Sequence, residues 1–213
     1  MNTIVVKNLS KTLDGNVILD NINLELESGM IYGLHGKNGS GKTMLMRAIC
    51  GLVIPNEGTI SINGRVLHKD ISFPESIGAL IENPAFLPEY TGLENLKLLA
   101  KLQRGITDSD IRLALTRACL DPNDKKIYRK YSLGMRQKLG IANAIMGEPE
   151  IIVLDEPINA LDEESVQDVK SFLMQLRDKG KLIITACHDR EELECLSDVI
   201  IEMVQGHLES SGI

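Results

Sequence analysis

The chain has 213 residues, enough to bury one sizeable core with a smaller subdomain attached. Hydrophobic residues make up 43% and charged residues 25%, as in a soluble globular protein, while aromatics are 3% with no Trp, so any stacking role rests on few side chains. A formal net charge of -7, from 23 basic and 30 acidic side chains, argues against a general nucleic-acid binder, and no window approaches the roughly 18 continuous apolar residues of a membrane span.

The N-terminal segment alternates β-rich runs, TIVVKNL and VILDNINLELESG, with Asp14-Gly15 and Ser28-Gly29 as turn signals. A second hairpin is predicted in TISINGRVL at Asn63-Gly64. Between them MIYGLHG runs through a glycine-rich turn into TMLMRAICGL, whose apolar spacing predicts a helix ending at Gly51.

From Asn83 to about Gly147 the pattern is helical. Thr91 and Glu94 form a capping box before LKLLAKLQR, and DSDIRLALTRACL carries another amphipathic repeat. Ser132 is an N-cap candidate for a helix through MRQKLGIANAIM to Gly147. Taken alone, KYSLGMRQKLG reads as a capped helix with Arg136 and Lys138 on its wet face.

The last third returns to α/β patterning: the buried-looking strand IIVLDE, a helix from about Glu163 to Lys179 closed by Gly180, the strand KLIITACH, a short acidic helix, and a hairpin-like VIIEMVQGHLES. No repeat or linker stands out, so residues 1–213 read as one α/β domain with a helical subdomain inserted at roughly 83–147. Cys50, Cys119, Cys187 and Cys195 have neither C-x-x-C spacing nor a secreted-scaffold density, and read as buried free thiols in a reducing cytoplasm.

The sharpest motif is GKNGSGKT, which fits G-x-x-x-x-G-K-[ST] between a predicted strand and a predicted helix. Gly36, Gly39 and Gly41 permit backbone conformations that aim the N–H groups of the loop, through Lys37, Asn38 and Ser40, at a polyphosphate. Lys42 reaches the β and γ phosphates and the Thr43 hydroxyl ligates Mg²⁺, so a nucleoside triphosphate such as ATP is the expected ligand.

IIVLDEP delivers adjacent carboxylates to a strand's C-terminal end. Because side chains alternate along a strand, the two take different roles: Asp155 suits holding Mg²⁺ through its coordinated water, Glu156 polarising an attacking water. His188 follows the apolar run KLIITAC to the same sheet edge, within reach of a γ phosphate. Ser132 and Gly134 would offer a hydroxyl and backbone N–H groups to an anion at a helix mouth.

The order of these elements, P-loop, helical insertion with YSLGMRQ, IIVLDEP, NALDE and a strand ending in His, is similar to the ATP-binding subunits of ABC transporters over essentially the whole chain. The resemblance implies a P-loop NTPase core with a mostly parallel sheet, an N-terminal antiparallel β subdomain and an inserted α-helical subdomain. It implies ATP hydrolysis with Mg²⁺ and head-to-tail pairing with a second ATP-binding subunit, homo- or heterodimeric. Ser132 and Gly134 would then act on the partner's nucleotide, Asn159 to Asp162 would cross the interface, and His188 would sense the γ phosphate. Lys42, Glu156 and His188 are the expected catalytic residues. The other implied partner is a separate transmembrane permease riding on the insertion around Glu82 to Arg104, which places this chain in the cytoplasm, peripheral at the inner face of the membrane.

Three departures stand out. Leu133 and Met135 occupy the first-glycine and glutamine positions of the common LSGGQ signature. Leu13 stands where an adenine-stacking aromatic is usual, which predicts weaker base discrimination or affinity. Glu82 replaces the glutamine that usually links the metal to the insertion, adding negative charge beside phosphates. These variants resemble bacterial exporters of peptides, antibiotics, lantibiotics or lipid-like compounds. The competing readings are a ribosome-associated or otherwise soluble ABC protein and a regulatory subunit that senses ATP without useful turnover.

Overall fold

Two tight turns build the first layer. Asp14-Gly15 joins β1 (Thr3–Leu13) to β2 (Asn16–Glu27), and Asn63-Gly64 joins β4 (Glu57–Ile62) to β5 (Arg65–Val66). Both residues of each turn have positive φ, 48° and 80° in the first and 52° and 77° in the second, the twist that two-residue hairpins require. The computed structural model describes residues 2–82, 85–103 and 105–209. In it these strands form an antiparallel sheet of order β2-β1-β4-β5, with Ile4, Val6, Leu26, Ile60 and Ile62 buried.

The second sheet has the order β10-β9-β3-β8-β7-β6, from β3 (Met30–His35), β6 (Ile77–Leu80), β7 (Ile151–Asp155), β8 (Leu182–Ala186), β9 (Val199–Val204) and β10 (His207–Leu208). All its pairings are parallel except β10 with β9. Every residue of β7 and β8 is buried, as expected of strands covered on both faces. Ile151 and Val153 pack towards α1 (Lys42–Ile49) and the antiparallel sheet, whereas Ile152 and Leu154 pack towards the helical side. By that alternation Asp155 belongs to the α1 face.

The other face carries α2 (Gly92–Ala100), α3 (Asp108–Arg117), α4 (Leu133–Ile145) and α5 (Glu163–Asp178), whose Leu96, Leu115, Leu139 and Leu173 share one core. Thr91 and Glu94 form the expected capping box, Ser132 caps α4, and Asp162 caps α5. A short helix, α6 (Arg190–Glu194), follows β8. Among the described residues no helix is long and apolar enough to cross a membrane.

Several details differ from expectation. The helix expected over LKLLAKLQR starts at Gly92, directly after its cap, and ends at Ala100. Beyond it Leu102 is 82% exposed and gains nothing from further helix. β6 is a four-residue strand within SIGALIE, a run too short for periodicity to separate from loop. β8 stops at Ala186, leaving Cys187 and His188 beyond it. Lys138 is not on a wet face: its side chain is 14% exposed and reaches Asp162. Only Cys50 and Cys187 of the four free cysteines are buried; Cys195 is exposed at the C-cap of α6. Asn83, Pro84, Arg104 and Ser210, on which parts of the reading fell, lie outside the described residues.

Candidate functional site

The loop between β3 and α1 is shaped by its last glycine. Gly41 is the N-cap of α1 with φ 107°, and a Cβ there would stand 2.9 Å from the Ile18 carbonyl. An L side chain is thus excluded by both conformation and space. With glycine as cap, the first N–H groups of α1 meet no capping side chain and remain available to an anion. The turn is braced from behind, where the Gly206 N–H donates to the Ser40 carbonyl across 3.0 Å.

Lys42 is 7% exposed, and its Nζ donates to the carbonyls of Gly36, at 2.6 Å, and Lys37, at 3.3 Å. The ammonium is therefore held over the loop, with a third donor for a phosphate oxygen. Ser40 Oγ is buried without a hydrogen-bond partner among the described residues.

The parity of β7 brings its last residue to α1: the Thr43 hydroxyl donates to Asp155 Oδ2 across 2.7 Å. Asp155 is 8% exposed, and burial pushes its carboxyl above the usual range; the Thr43 hydroxyl opposes this, and the neighbouring Glu156 carboxylate reinforces it. A buried carboxylate paired with a hydroxyl is a hard-oxygen set that fits a magnesium-type cation, whose charge would offset the desolvation.

Glu156 leaves the strand in a left-handed conformation, φ 50°, which costs an ordinary residue about 1–2 kcal/mol. Three contacts hold it there: its N–H donates to the Ala186 carbonyl across 3.0 Å, and its own carbonyl accepts from Gln137 Nε2 of α4 across 2.7 Å and from the Asn159 N–H across 3.3 Å. Its side chain thereby meets His188, whose Nδ1 lies 3.1 Å from Glu156 Oε2. Cys187 is buried beside them, and burial, together with the Glu156 carboxylate, pushes its thiol up to about 11.

Ile18, Gly39, Thr43, Glu82, Asp155 and Glu156 line one groove over this loop. Glu82 forms a salt bridge to Arg47 of α1 at 2.8 Å, so its negative charge is largely offset. Ile18 of β2 and Met44 of α1 supply its apolar side, and Leu13 is 42% exposed at the end of β1.

The mouth of α4 stands apart. Ser132 Oγ accepts from the Met135 N–H at 3.2 Å, and no hydrogen bond joins Ser132 or Gly134 to the groove among the described residues. Leu133 is the first helical residue and 65% exposed, so the position does not need glycine here. Gly134 does: a Cβ there would stand 2.7 Å from the carbonyl of Ala160, which has φ 62° in the segment between β7 and α5. The sequence does not single out Arg47, Gln137 or Ile18 as site residues, and places Ala160 only within the interface-crossing segment Asn159 to Asp162. Gln137 closes the YSLGMRQ stretch, but its contact to Glu156 has no signal in the sequence.

A parallel sheet whose β3 feeds a glycine loop into α1, and whose β7 sets a carboxylate on the helix's first hydroxyl, defines a P-loop nucleoside triphosphatase. The family described as "ABC transporter" matches residues 19–159, and the chain belongs to it: it is an ABC ATPase, the ATP-binding subunit of a transporter. The ABC transporter ATP-binding protein YybJ of Bacillus subtilis (strain 168) is 47% identical over 98% of this chain and 95% of its own length. The bacitracin transport ATP-binding protein BcrA of Enterococcus faecalis is 41% identical over 96% of this chain and 67% of its own. Among solved structures, the dimeric post-hydrolysis state of the ATP-binding cassette MJ0796 bound to ADP and Pi superposes with a TM-score of 0.88 at 26% identity, covering 97% of this chain and 96% of that one.

Proposed function

We propose that residues 1–213 act as one cassette that hydrolyses ATP to drive export of a peptide antibiotic or similar compound through a separate transmembrane permease. The chain would work at the inner face of the cell membrane, held there by that permease. The observation that carries the hydrolytic part is the pair of contacts Thr43–Asp155 at 2.7 Å and Glu156–His188 at 3.1 Å, at the ends of neighbouring strands. The export part rests on similarity to the bacitracin transport protein.

On this reading the 36–43 loop and Lys42 bind the triphosphate, with Lys42 placed against its terminal oxygens. Thr43, Asp155 and, once released from Arg47, Glu82 would hold Mg²⁺, which supplies charge stabilisation to the phosphates. Glu156 accepts the proton of the attacking water, and His188 orients Glu156 and reaches the γ phosphate. Ile18, alongside or in place of Leu13, supplies the apolar contact to the base. Ser132 and Gly134 complete the site of a second cassette paired head to tail. That neither touches its own groove supports this assignment.

The test is Glu156→Gln. ATP affinity is expected to persist while turnover falls by roughly 10²–10⁴-fold, the usual contribution of a general base, and an ATP-bound dimer accumulates on gel filtration. Undiminished hydrolysis in that variant refutes the role of Glu156.

A further inference from the structure

Immediately beyond β8, Cys187 and His188 bring a thiol and an imidazole to the carboxylate of Glu156. One ligand atom from each of the three lies within 4.8 Å of the others. The backbones are fixed independently of any ligand: the Cys187 N–H donates to the Leu34 carbonyl of β3 at 3.4 Å, and Glu156 is held by Ala186 and Gln137. The donors thus stand on the ends of β7 and β8, the most deeply buried strands of the sheet.

We infer that Glu156, Cys187 and His188 form a site for a thiophilic divalent cation of the zinc class, whose occupation arrests the cassette. Zinc bonds of about 2.0–2.3 Å in a tetrahedron place donors roughly 3.3–3.6 Å apart. Glu156 and His188 already approach to 3.1 Å, so the thiol needs a shift on the order of 1 Å, within the reach of side-chain rotation. Three protein donors leave a fourth position to water.

Donor chemistry separates this site from the one at Thr43 and Asp155. Thiolate and imidazole select zinc-like ions, whereas the hydroxyl–carboxylate pair selects magnesium. Two cations of different softness would therefore occupy adjacent positions without competing for ligands. On binding, the Cys187 thiol releases its proton to solvent and the thiolate, the imidazole and a Glu156 oxygen each donate a lone pair to the metal. Glu156 then has no free lone pair on that oxygen for a water proton, and His188 no free nitrogen at that face. The arrest rests on the roles given above to Glu156 and His188; the metal site itself does not.

Cobalt(II) replaces zinc with a visible signature. Titration of the full chain with Co²⁺, without nucleotide, is expected to give one equivalent of tetrahedral cobalt with thiolate-to-metal charge-transfer absorption, displaced by Zn²⁺. Cys187→Ser is expected to lose that absorption, and His188→Ala to weaken binding about 10–100-fold. Cys195→Ser, at the exposed cysteine, retains both. In turnover assays Zn²⁺ inhibits the wild type and is at least tenfold less potent on Cys187→Ser, whose activity without zinc is unchanged. Absence of the charge-transfer band in the wild type, or its survival in Cys187→Ser, overturns the site. A normal band with zinc-insensitive turnover overturns the arrest. Failure of the hydrolytic reading would instead be seen in Glu156→Gln, with the cobalt spectrum of the wild type unaffected.

Discussion

Gln137 Nε2 donates to the main-chain carbonyl of Glu156 across 2.7 Å, so a side chain of α4 holds the residue that follows β7. Glu156 is in a left-handed conformation, and this bond is one of three that keep it there, with those to Ala186 and Asn159. Gln137→Ala should cost about 1 kcal/mol of stability, the net worth of one such bond. A comparable loss at the barrier corresponds to roughly fivefold in turnover at saturating ATP, with nucleotide affinity kept. Gln137→Glu, unable to donate when ionised, should do worse. Equal turnover in all three proteins would mean that the Ala186 and Asn159 contacts suffice to position Glu156.

Gly134 and Ala160 couple the mouth of α4 to the segment before α5. Because a Cβ at Gly134 would stand 2.7 Å from the Ala160 carbonyl, Gly134→Ala must displace that segment. The expected result is impaired ATP-driven dimerisation and turnover with ordinary ATP binding to the monomer. Leu133→Gly is the contrast. Leu133 is already helical, so restoring the common glycine relieves no strain and should lower stability by up to about 1 kcal/mol through helix propensity. A gain of activity in Leu133→Gly would show that its side chain, not its backbone, limits the site.

These two couplings mark the boundary of what could be read in advance. The 36–43 loop, the Asn63-Gly64 turn and the caps at Thr91 and Ser132 are legible because their physics is local: each needs particular residue types within a few positions. The buried run of β7 ending in Asp155 is legible for the same reason. The partners of those residues are not. Gln137 against Glu156, Arg47 against Glu82, and Ile18 behind the loop are juxtapositions set by how α4, α1 and β2 dock on the sheet.

The Arg47–Glu82 pair changes what the acidic substitution at position 82 implies. Glu82 raises the Asp155 carboxyl through its charge, and Arg47 sits 2.8 Å away to offset it. Both side chains are partly exposed, so removing the pair should alter stability by less than about 1 kcal/mol. Ligand effects should be larger: Arg47→Ala leaves a free carboxylate beside the phosphate groove and is expected to weaken ATP binding roughly fivefold, about 1 kcal/mol. Glu82→Gln in the same background should restore it, which titration calorimetry on the four proteins of the cycle can measure. Additive effects would mean that the two residues act independently.

Two buried thiols give the protein a predictable alkaline limit. Burial pushes Cys50 up to about 12 and Cys187 up to about 11. In the unfolded chain both ionise near pH 8.5, so above that pH the unfolded state holds fewer protons than the folded one. Stability is therefore flat below about pH 8.5 and falls as pH rises towards the folded values, by at most about 1.4 kcal/mol per pH unit for each thiol. Urea unfolding at pH 7.5, 8.5, 9.5 and 10 should reveal that decline, and Cys50→Ala should flatten it by removing one of the two groups. Exposed Cys195, by contrast, should react with a thiol reagent in the native state well before Cys50 or Cys187. An unchanged slope in Cys50→Ala would assign the alkaline loss to groups other than this thiol.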